Sequence, residues 1–123
     1  MHRPLAPVLL LAALVVPATA QARNVSRFGV NIISCVVNSN GGNLTNGINV
    51  VYYNTHDSPA TEVDFRVNYN GQHYLLIDKG TFTRGAQINH NLTNSLSGQP
   101  WYGPAPKLCR VERVYLANGT ALY

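Results

Sequence analysis

Apolar and polar residues alternate with a period of two along much of this chain. Val63, Phe65, Val67 and Tyr69 fall on one face while Asp64, Arg66 and Asn68 fall on the other, the pattern of a strand with one face buried. Ile88 and Leu92 alternate with Gln87, Asn89 and Asn91, and His90 shares the apolar parity, so it is expected to face inward. No window carries the 3.6-residue period of a sustained amphipathic helix, and no internal repeat is visible. Turn signals separate the alternating runs. Asn70-Gly71 predicts a two-residue hairpin turn with positive φ, Lys79-Gly80 and Arg84-Gly85 punctuate the next segments, and Asn118-Gly119 predicts a second tight hairpin. Strands are expected near 30–38, 47–54, 62–69, 72–78, 80–83, 86–92, 107–117 and 120–123. Seven or eight short strands at this spacing predict an all-β antiparallel sandwich.

One strand breaks its own parity. Cys109 and Val111 share one face, whereas Val114 and Leu116 share the other; an extra residue near Glu112-Arg113, a β-bulge, reconciles them. Two stretches lack alternation: the polar loop 39–46, and 93–106, which contains three prolines and two glycines.

The N-terminus follows a different logic. His2 and Arg3 precede nine apolar residues, Val8 to Val16, and Pro17 closes the run, the layout of a secretory signal peptide over residues 1–22. Cleavage is expected after Ala22, with Ala20 the alternative. An uncleaved anchor is disfavoured, because a spanning helix needs roughly 20 apolar residues. The remaining residues, 23–123, suit a single domain. Export gives the two cysteines their meaning. Cys35 and Cys109 are the only pair, and in an oxidising compartment they are expected to form a disulfide. A metal-binding or redox-active pair would bring a CxxC or Cys/His cluster, and neither cysteine has one.

After Arg3 is removed, eight Lys and Arg face five Asp and Glu, so the domain is mildly basic. The basic residues are dispersed, without a run that follows a phosphate backbone, which argues against nucleic acid. Fourteen asparagines and seven tyrosines supply much of the remaining polarity. Among the acids, Asp64 is expected on the outer face of its strand, Asp57 and Asp78 in turns, and Glu62 and Glu112 at the surface. His56, His73 and His90 lack metal-ligand spacing, although His56-Asp57 would be the best nucleus of a site. Ser34, Ser58, Ser95 and Ser97 have no sequence-visible base or orienting acid. No catalytic centre, metal or cofactor is therefore expected. Asn24, Asn43, Asn91 and Asn118 begin Asn-x-Ser/Thr sequons, which matter only in a glycosylating host.

The segment from Gln99 to Pro106 sets Trp101 beside Tyr102 on a proline-stiffened loop. Two fates compete: Trp101 plugs one end of the sandwich near the cysteines, the favoured one, or the pair is presented as a partner-binding surface.

Val63-x-Phe65-Arg66-Val67, Asn70-Gly71, Asp78-x-Gly80-Thr81-Phe82, Gly85, Ile88-x-His90, Cys109-x-Val111 and Tyr115 to Thr120 together resemble small uncharacterised exported bacterial proteins with an immunoglobulin-like β-sandwich. The resemblance spans roughly residues 48–120 and implies fold and export. Immunoglobulin domains proper fit less well: no tryptophan follows Cys35 by about a dozen residues, and Lys107 stands where a corner tyrosine belongs. The expected function is a secreted or periplasmic, non-catalytic module that binds another envelope or extracellular protein. The alternatives are glycan recognition through Tyr52, Tyr53, Tyr74 and Tyr102, and a small secreted hydrolase.

Overall fold

In the computed structural model, which describes residues 23–37, 47–93 and 105–123, every regular element is a strand. The strands are β1 (Arg23–Val25), β2 (Val30–Val37), β3 (Ile48–Asn54), β4 (Ala60–Tyr69), β5 (Gln72–Phe82), β6 (Gln87–Leu92), β7 (Leu108–Leu116) and β8 (Ala121–Leu122). They form two sheets. The larger has the order β1-β7-β4-β5, with β8 also paired to β7, and the smaller has the order β2-β3-β6. The sandwich expected from the alternation is thus present, with one addition. The short β1, which no sequence signal marks, runs parallel to β7, pairing Arg23 with Leu108 and Val25 with Arg110; all other strand pairs are antiparallel.

The inner faces supply the core. Tyr52, Phe65, Leu76, Ile48, Val50, Val63, Val67, Val111 and Val114 are fully buried, and each such side chain contributes roughly 1.5–3 kcal/mol of apolar burial. Tyr52 packs edge-on against Phe65 and Phe82, with ring centroids 5.0 and 5.8 Å apart. Cys35 on β2 and Cys109 on β7 close one side of the sandwich as a buried disulfide with Cα atoms 6.5 Å apart.

The parity break in β7 is a bulge. Phe65 pairs with Val111 and Asp64 with Arg113, leaving Glu112 as the extra residue. Glu112 and Arg113 consequently both serve the outer face while Val114 returns to the core. Asn70 and Gly71 adopt φ of 52° and 78°, as the hairpin turn between β4 and β5 requires. Asn118-Gly119 closes a three-residue loop in which only Gly119 has positive φ.

Two sequence expectations are corrected. The runs 72–78 and 80–83 are one strand, β5, because Gly80 does not break it; the register with β4 slips there, with Glu62 opposite Lys79 and Ala60 opposite Phe82. Asp78 is therefore not a turn residue. It points inward from mid-strand and is 5% exposed, sharing the parity of Leu76 and Tyr74. His90 does have inward parity, but β6 is an edge strand, so its side chain remains half exposed.

Candidate functional site

Three polar arrangements stand out among the described residues. The first lies in the seam between β5 and β6. The Tyr52 hydroxyl donates to Asp78 Oδ2 at 2.7 Å, and His90 Nδ1 donates to the same carboxylate at 2.8 and 3.0 Å. A buried carboxylate needs such donors. Burial, and then the bond to Asp78, hold the Tyr52 proton well above the ordinary tyrosine range. This arrangement closes the side of the sandwich opposite the disulfide.

The second arrangement fixes the turn that leads into β2. Phe28 and Gly29 adopt φ of 56° and 76° between Arg27 and Val30, whose N–H donates to Arg27 O at 3.0 Å. A phenylalanine in the left-handed region is uncommon and needs support from its surroundings. His56 Nε2 donates to Phe28 O at 2.6 Å, and Thr55 donates to Gly29 O through both its N–H and its hydroxyl. Gly29 is obligatory here, because a Cβ would run into the His56 ring. The fully buried Asn54 side chain donates to the carbonyls of Ser58 and Phe82 and accepts from His56 N–H, holding the loop that carries His56.

The third arrangement covers the outer face of the larger sheet. Opposed arginines at Arg66 and Arg110 are bridged by Glu112: Arg110 donates to Oε1 at 2.9 and 3.2 Å, and Arg66 to Oε2 at 3.4 Å. Burial works to raise the Glu112 carboxyl, but the bonds from Arg66 and Arg110 outweigh it and leave it below the ordinary range. One turn of the pleat away, Arg113 Nε donates to Asp64 Oδ2 at 2.9 Å, and Lys79 lies 4.0 Å from Glu62. Asp64 sits on the outer face as expected, yet it is only 1% exposed, and its Oδ1 has no partner within the described chain. Burial, reinforced by neighbouring Glu62 and opposed by Arg113, pushes its carboxyl from 3.8 up to about 7.

That shift has a measurable sign. The folded state binds the Asp64 proton more tightly than the unfolded chain, so the stability from this group is complete below about pH 4 and is lost as pH rises to about 7. Asp64→Asn should therefore gain stability relative to the parent between pH 4 and pH 7 and hold a constant difference above. Urea midpoints of both proteins across pH 4–8 test this, and a pH-independent difference would contradict it.

Beside this ionic lattice a pocket of about 490 Å³ opens, lined by Arg27, Arg66, His73, Tyr74, Leu75, Glu112, Arg113 and Tyr123. The turn at Phe28-Gly29 brings Arg27 to it, with the guanidinium over the Phe28 ring at 4.4 Å. Sequence reasoning missed this pocket. The legible signal was the bulge, since placing Glu112 and Arg113 on the face that already carries Arg66 concentrates charge there.

The residues singled out from sequence do not converge. His56 is bonded to Phe28 O, His73 to the Asn68 side chain and His90 to Asp78, and Asp57 pairs with Arg84 rather than helping to form a metal site. Among the described residues no three His, Cys, Asp or Glu side chains are grouped to hold a metal ion. Ser34 lies on β2 and Ser58 accepts from Asn118 N–H. Tyr52 is buried, Tyr53 accepts from Asn31, and Tyr74 is partly buried against the core, so they form no common stacking face. Trp101, Tyr102, Ser95, Ser97, loop 39–46 and the signal segment 1–22 lie outside the described residues.

Fold and surface together define a disulfide-closed β-sandwich with an arginine-lined pocket on its larger sheet. In comparisons with known proteins, no family model, no curated protein and no solved structure matches this chain.

Proposed function

We propose that this chain is an exported, non-catalytic binding module that recognises another envelope or extracellular protein through the outer face of its larger sheet. The carrying observation is the pocket between Arg27, Arg66, Arg113 and Tyr123. Its floor belongs to β4, β5 and β7, two of which are interior strands held on both edges, so the surface is rigid before any partner arrives, which limits the entropy lost on binding. The disulfide fits an oxidising compartment, and the N-terminal signal layout fits export. A hydrolytic reading gains no support from histidines that are each committed to a different structural partner.

Site-specific photo-cross-linking tests the face. A photoreactive residue at Leu75, on the pocket, should capture a partner protein at least fivefold more efficiently than one at Asn89, exposed on β6 of the other sheet. Equal capture, capture from Asn89 alone, or none from either position would refute the assignment.

A further inference from the structure

The charge balance of the fold is uneven. All five acids are engaged: Asp57 with Arg84, Glu62 with Lys79, Asp64 with Arg113, Asp78 with Tyr52 and His90, and Glu112 with Arg66 and Arg110. Arg27 is not among these ion pairs: it lines the pocket with its guanidinium over the Phe28 ring and has no acid partner among the described residues. Within the lining, three guanidiniums stand against one side-chain carboxylate, and both oxygens of that carboxylate are occupied by Arg66 and Arg110.

We propose that this pocket binds the carboxylates of an acidic peptide segment, with Arg27 as the principal anchor and Arg66 and Arg113 as flanking cations. The proposal rests on the recognition face assigned above and names its ligand chemistry. A planar guanidinium fork matches the two oxygens of a carboxylate. Leu75 and Tyr123 lie beside the arginines, so the site offers apolar contacts next to positive charge, which suits a chain carrying carboxylates and apolar side chains together. An acidic polysaccharide carries no apolar side chains to set against Leu75. The volume lies within the range of small-ligand sites, roughly 300–1,000 Å³, enough for a short peptide stretch. Asp64 adds to the attraction: with its carboxyl pushed up to about 7, it compensates Arg113 only partly near neutral pH.

Calorimetric titration of the disulfide-closed protein with a synthetic hexapeptide alternating Glu and Leu tests this, with the Gln/Leu counterpart, inorganic phosphate and an oligogalacturonate as comparison probes. The Glu peptide should bind saturably at low salt, at least tenfold more tightly than its Gln counterpart, and weaken as salt screens the charges. Arg27→Ala removes a partly buried turn side chain that lies outside the core cluster, and it should weaken Glu-peptide binding at least fivefold while leaving the melting temperature within a few degrees. Amide chemical-shift changes should cluster at residues 27, 66, 73–75 and 113. Equal affinity for the Glu and Gln peptides, insensitivity to Arg27→Ala, or tighter binding of phosphate or oligogalacturonate than of the Glu peptide would overturn the proposal. If the Glu peptide fails while Leu75 still cross-links a partner, the recognition face stands and the carboxylate ligand falls.

Discussion

Cys35→Ala should lower the melting temperature by more than about 15 °C. The Cys35–Cys109 bond closes a loop with a sequence separation of 74 residues, and the loop-closure model assigns such a bond about 4 kcal/mol through restriction of the unfolded chain. In a domain of about 100 residues each kcal/mol moves the midpoint by roughly 4–8 °C. The bond also joins β2 of one sheet to β7 of the other, so its loss removes a covalent cross-link between layers that are otherwise held together by chain connections and side-chain packing. Cys109 is fully buried, so the thiol left behind should react with a thiol reagent only as the protein unfolds. Calorimetry and thiol titration check both points. A variant that melts with the parent would show that the disulfide adds little to stability.

Asp78→Ala should cost about 2–3 kcal/mol, because it leaves the Tyr52 hydroxyl buried without an acceptor. Tyr52→Phe alone removes one donor from a carboxylate that keeps its bond to His90. In the double variant the orphaned hydroxyl is gone, so the cost should fall short of the sum of the single costs by roughly 1 kcal/mol or more. Denaturant unfolding of the four proteins measures this coupling, and simple additivity would mean that the 2.7 Å contact carries no energy of its own. His90 should matter less, since its half-exposed ring leaves water ready to replace it. The design follows from the position of the pair. Tyr52 stands at the centre of the aromatic cluster with Phe65 and Phe82, and its polar end reaches the one carboxylate that faces the core.

The two strongest effects thus come from opposite sides of the sandwich, the disulfide at the β2–β7 side and the Tyr52–Asp78–His90 chain at the β5–β6 seam. Between them the outer face of the larger sheet is left to charge. Apart from Arg113–Asp64, whose carboxylate is buried, its ion pairs are partly exposed and individually weak, typically 0–1 kcal/mol, which makes them dispensable for folding and available for recognition.

The fold was legible in the sequence because period-two alternation is a local property: each residue's face follows from its neighbours. Val63, Phe65 and Val67 declared a core face, Asn70-Gly71 declared a hairpin, and the parity break after Val111 declared the bulge at Glu112 before any partner strand was known. The cysteine count declared the disulfide. What alternation does not encode is which strands become neighbours, and the site depends on that. Asp78 had inward parity, but its burial beside Tyr52 and His90 required β5 and β6 to meet across the sandwich. Lys79-Gly80 read as a stop, yet pairing with β4 carries the strand through it. Arg27, Arg66 and Arg113 come from a turn and two strands separated by up to 86 positions in sequence, and only the packing of β4 against β7, with the Phe28-Gly29 turn pinned by His56, brings them to one pocket. Sequence by itself determined most of the strands, their buried faces and the covalent closure, because these rest on local geometry and on residue chemistry. Tertiary structure alone decided the charged pocket, because long-range strand pairing sets which distant side chains share a surface.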